Sequence, residues 1–295
     1  MILKNYDLLK FKKFGAGPED YFFLMNNLGF DNTGNILVSS IKDVKKYSMN
    51  GDFMNSYSFD RQGTQAPIFN PFEYDKYIMG VNLPQGDVTK EEFYKEDHKI
   101  IFSYDTVQNS FKSSLSYKKE SSKEEFFLYN GFIFGSEFDD NLHLMDKNEN
   151  NMTLFNLESK TSSRLKFNTD YFHPFSLPFN RNYTEKELDI IRYQNSTVQN
   201  FFIDEKSIVL IYTKPYSEDE IFEFVKKNDN AFISEFPTLK YVLHISNKEG
   251  DKIFQDILLP ESYGIPIYSN SEFVLFLKED IQNFSLTRYN LKIAK

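Results

Sequence analysis

One local shape recurs along this chain and narrows the folds open to it: an alternating apolar and polar run, a short polar turn, then a second alternating run. It appears as KKYSMNGDFMNSYSF (Lys45 to Phe59), IIFSYDTVQNSFKSSLSY (Ile100 to Tyr117), LHLMDKNENNMTLFNLES (Leu142 to Ser159) and YVLHISNKEGDKIFQDILL (Tyr241 to Leu259). A side-chain period of two, interrupted by Asn, Asp, Gly and Lys, predicts a β-hairpin at each place. A further apolar pair precedes the hairpins, as in FLMNNLGFDNTGNILVSS (Phe23 to Ser40), where Asp31, Asn32 and Gly34 supply turn chemistry. The repeating unit is thus four antiparallel strands. Adjacent hairpin turns fall roughly 40 to 55 residues apart, the period of propeller blades rather than of sandwich strands alone.

Composition fits this reading. The chain holds 32 Phe and 19 Tyr but no Trp, and 17% aromatic residues suit pleated, half-buried surfaces more than helix interiors. Its 12 Gly and 10 Pro are too few for a disordered or fibrous chain. At 295 residues two average domains would fit, yet all-β propellers run as one domain at this length. The expected fold is all-β: a single β-propeller domain over residues 1–295, with five or six four-stranded antiparallel blades and short helical insertions on one face. Blades are expected at Asp20–Asp60, Ala66–Tyr117, Glu125–Phe167 and Val198–Leu259, with a last one at Ile265–Ile293. Residues 1–14 are β-like and belong to no blade begun within the chain. They are expected to supply a closing or partial-blade strand, which removes unpaired edges.

Three segments interrupt the strand rhythm with helix signals. VTKEEF sets Thr89 as N-cap with Glu92 three residues on; YTEKEL repeats the device with Thr184 and Glu187, and YSEDEI with Ser217 and Glu220. Val88 with Phe93, Tyr183 with Leu188, and Tyr216 with Ile221 complete a hydrophobic staple in each. In an antiparallel meander the loop between the second and third strands emerges at the same end as the connection to the next sheet. All three helices therefore fall on one face, and the other keeps tight turns such as NTGN, MNGD and KEGD. Loops held by a rigid scaffold are where recognition is built, so the helical face is the expected binding face, the alternative being helices that only cap exposed apolar strand ends. Its candidate residues are Arg61, His173, Arg181 and Arg192: three guanidinium groups able to clamp an anion, and a histidine in the long connection YFHPFSLPFNRNY.

A net charge of −9 and the absence of long Lys/Arg clusters exclude a nucleic-acid partner on electrostatic grounds. Zero cysteines remove disulfides, thiolate nucleophiles and Cys-ligated metals together. No apolar run approaches the roughly 18 residues of a spanning helix, so no transmembrane segment is expected, and no signal peptide or lipidation Cys is read in the chain. The four histidines, His98, His143, His173 and His244, have no metal-ligand spacing, and those inside strand repeats read as solvated or hydrogen-bonded side chains. Glu91 with Glu92, Glu124 with Glu125, and Asp139 with Asp140 are sequence neighbours that do not form a general acid/base pair. No nucleophile elbow, P-loop, dinucleotide fingerprint or EF-hand loop is present, so no catalytic residue is assigned and no cofactor is predicted.

The stretch FKKFGAGPEDY, at Phe11 to Tyr21, reads as a strand, a Gly/Pro turn and the first strand of a blade. It resembles the G-x-G-P-x-E junction of a six-bladed β-propeller family, TolB-like and related to NHL-type propellers, widespread in Bacteroides-type bacteria. The matching residues are Gly15, Gly17, Pro18 and Asp20, with Glu19 one place before the family's usual acid. FDNTGNILVSS followed by VKKYSMNGDF is also similar to that family's blade. On this resemblance Gly15, Gly17 and Pro18 form a structural junction, Gly permitting positive φ and Pro fixing entry to the next strand. The resemblance implies a periplasmic or outer-membrane lipoprotein. This chain lacks the family's signal and preceding half blade, so the expectation is a start without its N-terminal part, or closure with fewer blades. The function expected is a non-catalytic binding or scaffold propeller that recognises a glycan, peptide or protein partner on its loop-rich face. The alternative is a metal-dependent hydrolase or lactonase whose ligands are dispersed in sequence around a central cation, calcium among them.

Overall fold

The computed structural model describes residues 17, 19–20, 28–40, 43–58, 68–81, 91–96, 98–117, 125–126, 133–174, 177–178, 184–227, 238–260, 264–269, 272–280 and 283–291. The expected closing strand at 1–14, Gly15, Pro18 and the Thr89 cap lie outside these residues. The chain divides into two compact units, residues 1–85 with 97–118, and residues 86–96 with 119–295.

The first unit holds two four-stranded antiparallel meanders, each with its strands in sequence order. One consists of β1 (Leu28–Phe30), β2 (Ile36–Ser39), β3 (Asp43–Tyr47) and β4 (Phe53–Ser58). The second consists of β5 (Phe69–Tyr74), β6 (Tyr77–Val81), β7 (His98–Asp105) and β8 (Ser110–Tyr117). Leu37, Val44 and Tyr57 of the first sheet bury against Ile68, Ile78 and Phe102. The approach is closest at Gly29, where an added Cβ would stand 1.4 Å from the Pro71 carbonyl oxygen. Only glycine leaves room for one backbone so near another.

The second unit opens with α1 (Glu91–Lys95) and a two-stranded ladder of β9 (Glu125–Phe126) with β14 (Leu177–Pro178). Its third sheet runs β10 (Ile133–Phe138), β11 (Asn141–Asp146), β12 (Asn151–Asn156) and β13 (Ser162–Lys166). Then come α2 (Glu185–Gln194) and the fourth sheet: β15 (Val198–Ile203), β16 (Ile208–Lys214), β17 (Lys240–Ser246) and β18 (Ile257–Leu258), with α3 (Glu218–Lys227) between β16 and β17. The fifth sheet has three described strands, β19 (Ile265–Ser269), β20 (Phe273–Asp280) and β21 (Asn283–Asn290).

The architecture is all-β and propeller-like, with five antiparallel sheets of three or four strands among the described residues. Within each unit successive sheets approach along their first strands, β1 against β5 in one, and β10 against β15 and β15 against β19 in the other. Stacking of this kind buries both faces of a sheet, and β16 shows the result. Ile208, Leu210 and Tyr212 join Met145, Met152 and Phe167 of the third-sheet side, while Val209 and Ile211 join Val274 and Phe276 of the fifth. Alternate side chains serve opposite cores, so Ile208 to Ile211 run apolar without a break instead of alternating.

The hairpin turns explain the polar punctuation of the sequence. In three of them an Asp, Ser or Asn opens the turn and a glycine sits three residues on: Asp31 with Gly34, Ser48 with Gly51, and Asn247 with Gly250. These glycines have φ of 85°, 87° and 87°. The opening side chain accepts the N–H four residues ahead, at 2.8 Å in Asn35, 3.1 Å in Asp52 and 2.7 Å in Asp251. A left-handed residue closing such a turn costs glycine least. Asp31 does more than cap. Burial acts to raise its carboxyl, but Lys46, Asn35 and Thr33 outweigh it and hold the group well below the usual carboxylate range.

Gly17, of the expected junction, opens a short turn, its carbonyl accepting the Asp20 N–H at 3.0 Å. Its role is spatial: the Asp20 carboxylate folds back to accept the Gly17 N–H at 3.1 Å, and a Cβ would stand 2.7 Å from that carboxylate. Tyr47 of β3 donates its hydroxyl to the Glu19 carbonyl at 2.7 Å and ties the turn to the first sheet.

Candidate functional site

At the loop end of the fourth sheet, the end of α2 meets the start of α3. Thr184 caps α2, its hydroxyl accepting the Glu187 N–H at 3.2 Å while the Glu187 carboxylate accepts the Thr184 N–H at 2.8 Å. Ser217 and Glu220 make the same reciprocal pair at the start of α3, at 3.2 and 2.8 Å. Two orphan amides are satisfied at each helix start, worth about 1 kcal/mol per cap. At the end of α2, Asn195 donates to the Ile191 carbonyl at 2.6 Å. Tyr216 joins the two helices: its N–H donates to the Tyr193 carbonyl at 2.8 Å, and the two rings meet edge to face.

These elements bound an open pocket of about 570 Å³. His173, Gln194 and Asn195 line one side, Lys214 and Tyr216 another, and Ser217, Glu218 and Glu220 the rim. Lys240 lies 4.2 Å from the Tyr216 ring centroid and pairs with Glu220 at 2.8 Å. Lys240, aided by the Ser217 amide, holds the Glu220 carboxyl at about 2. A carboxylate that acidic is a poor general base, and the Ser217 hydroxyl beside it is occupied as a cap. Among the described residues the pocket offers amides, an imidazole, an ammonium and a tyrosine ring, groups for hydrogen bonding and stacking, and no nucleophile and base in working array.

A buried clasp sets the position of His173. Asp256 accepts three hydrogen bonds: the Tyr212 hydroxyl at 2.5 Å and the Asp170 N–H at 2.7 Å on one oxygen, and His244 Nδ1 at 2.7 Å on the other. The His244 and Asp256 side chains are both 0% exposed. The carboxylate fixes the proton on Nδ1, and Nε2 has no hydrogen-bond partner among the described residues, with the Phe167 ring edge-on at 5.8 Å. Burial, and then the Asp256 carboxylate, push the Tyr212 phenol far up, so it stays a donor. In return, Asp170 accepts the Asp256 N–H at 3.0 Å and pairs with Lys252. The chain from Asp170 is thus clamped to the fourth sheet, Tyr171 donating its N–H to the Tyr212 hydroxyl at 3.3 Å. His173 then exchanges two hydrogen bonds with Ser196, its N–H donating to Oγ at 3.0 Å and its carbonyl accepting the Ser196 N–H at 2.9 Å.

Of the residues expected from sequence, the structure places His173 in this pocket, exposed and on the loop end. Arg192 lies on α2, but its side chain, and Arg61 and Arg181 entirely, lie outside the described residues. His143 and His244 are buried in strands, and His244 is hydrogen-bonded. Asp139 and Asp140 share a turn in the left-handed region, with φ of 51° and 58°. Sequence reading missed Gln194, Asn195, Lys214 and Tyr216; the two flanking helix caps were the available signal for that neighbourhood. Among the described residues no group of three His, Asp or Glu comes together to hold a metal, and no helix is long and apolar enough to cross a membrane.

Compared with protein-family models and with curated proteins, the sequence finds no match. Solved structures do resemble the fold. A member of the DUF4221 family from Bacteroides vulgatus superposes with a TM-score of 0.65 at 14% identity, covering 96% of this chain and 82% of that one. A candidate exported protein of Bacteroides fragilis gives a TM-score of 0.50 at 12% identity, covering 90% of this chain and 69% of its own. At such identities the likeness establishes a shared all-β fold with these Bacteroides proteins, and the fold alone.

Proposed function

We propose that this protein is a binding module that takes a glycan, a peptide or a segment of a partner protein at the loop end of its fourth sheet. One observation carries the reading: the pocket of about 570 Å³ has its polar groups fixed by the cap of α3 and a buried clasp, not arranged as acid, base and nucleophile among the described residues. Preformed polar walls with an aromatic face suit recognition of hydroxyl and amide groups. In its finer form the same proposal makes the sheets blades of one TolB- or NHL-type propeller domain, with five or six blades.

Arrays of neutral oligosaccharides and of short peptides, probed with the full chain, test it. A hit weakened about tenfold, or roughly 1.4 kcal/mol, by His173→Ala and by Gln194→Ala is the expected result. Equal weakening by Glu249→Ala, in the turn at the opposite end of the fourth sheet and outside either pocket, sinks the reading. A stoichiometric calcium or zinc site in calorimetry would overturn the module reading in favour of a metal-dependent hydrolase.

A further inference from the structure

A second pocket lies at the other end of the same strands, where sequence reading expected only tight turns. The turns of β10–β11, β12–β13 and β15–β16, with the turn that follows β17, surround a cavity of about 350 Å³. Lys248, in that last turn, lines it. The ammonium is buried and has no hydrogen-bond partner among the described residues. It lies 3.9 Å from the Phe138 ring centroid, which accounts for its direction but satisfies none of its N–H donors. Burial lowers its pKa, with Asp204 and Asp139 opposing from a distance. An ammonium in such a place is unfavourable unless something accepts its protons.

The walls supply what a ligand would need. Asn156 donates to the Asn141 side chain at 3.2 Å, and Asn141 to the Asp139 carbonyl at 2.7 Å, so these amides brace the turns and leave the cavity preformed. The hydroxyls of Ser162 and Ser163, also in the lining, make no hydrogen bond among the described residues. Lys248 is the one cation among the described lining residues, and the exposed Asp139 and Glu205 line the cavity with it. A single positive charge behind two carboxylates matches a monoanion and repels a dianion such as phosphate or sulfate. The same carboxylates welcome an amino group.

We propose that this pocket binds a small monocarboxylate, α-amino acids best, Lys248 turning away from the Phe138 ring so that its Nζ donates to the ligand carboxylate, with the ligand amino group facing Asp139 and Glu205. The cavity of about 350 Å³ holds the amino acid head group and leaves room for a side chain beside it.

Calorimetric titration of the full chain with glycine, L-alanine and acetate, against glycinamide, acetamide, phosphate and sulfate, tests this. Saturable binding of the two amino acids is expected, weaker binding of acetate, and none of the amides or dianions. Lys248→Met should weaken glycine at least tenfold, and Lys214→Met in the other pocket should not. Without ligand, Lys248→Met should melt no lower than the wild type, because an unpaired buried charge has been removed and the apolar stem kept. No saturable heat from any carboxylate at tens of millimolar overturns the proposal, as does preference for phosphate, equal binding of acetamide and acetate, or glycine binding indifferent to Lys248→Met. A Lys248→Met protein that melts far below the wild type also overturns it, since the lysine would then be a structural partner of Phe138.

Discussion

Asp256→Ala is the substitution that most directly tests how the loop-end pocket is held. The carboxylate accepts from the Tyr212 hydroxyl, the Asp170 amide and His244 Nδ1, all within 2.7 Å and with the side chain fully buried. Truncation leaves three donors without an acceptor, at about 1–2 kcal/mol each, partly offset because a carboxylate no longer has to be buried. The net expectation is a loss of about 4 kcal/mol. For a unit of this size that lowers Tm by roughly 10 °C. Asp256→Asn should cost less, about 1–2 kcal/mol, because its amide can face His244 and the ring can exchange tautomers to accept it. Tyr212→Phe should fall in the same range, about 1–2 kcal/mol, from the stranded Tyr171 amide. Urea denaturation followed by far-UV circular dichroism measures all three, the chain having no Trp to report. An Asp256→Ala protein within about 1 kcal/mol of the wild type, or an Asn variant as damaged as the Ala one, would refute the clasp.

Two glycines in the first unit separate crowding from backbone strain. Gly34→Ala meets nothing within 4 Å but must hold φ of 85°, and should cost about 1–2 kcal/mol; Gly29→Ala would drive a Cβ into the Pro71 carbonyl and should cost several-fold more, as thermal denaturation will rank. If the chain is one cooperative domain, Gly29→Ala and Asp256→Ala lower one shared calorimetric transition; separable transitions, one moved by each, would divide it. Glu220 predicts an acid limb: its carboxyl is held at about 2 against an ordinary 4.5, so the stability it adds is complete above about 4.5 and disappears as pH falls through 2. Because the pair with Lys240 is exposed, that contribution is below about 1 kcal/mol, and Glu220→Gln should flatten the acid slope by that share while the part owed to Asp31 remains.

The hairpins were legible because their turns require particular residues. Asp31, Ser48 and Asn247 each hold a backbone amide four residues on, and the glycines at 34, 51 and 250 take a conformation other residues resist. The caps at Thr184 and Ser217 were legible for the same reason, since a cap is a local hydrogen bond. The clasp was not. Tyr212, His244 and Asp256 come from different parts of the fourth sheet, and no spacing rule brings a strand tyrosine onto an aspartate 44 residues away. Nor does IVLIYT reveal that its alternate residues serve two cores, because burial on both faces erases the alternation by which a strand is recognised. The Lys248 pocket escaped notice because each of its turns, taken singly, is an ordinary connection.

Among the described residues, each of the five sheets of three or four strands is a meander whose strands follow one another in sequence. Such local pairing keeps contact order low, so each sheet can form soon after its last strand leaves the ribosome, without waiting for distant segments. The faces between sheets behave differently. Val209 and Ile211 remain uncovered until Val274 and Phe276 have been synthesised. During that interval the newborn fourth sheet presents an apolar surface to the cell, so the timing of translation between Leu258 and Phe273 governs how long the chain is open to aggregation.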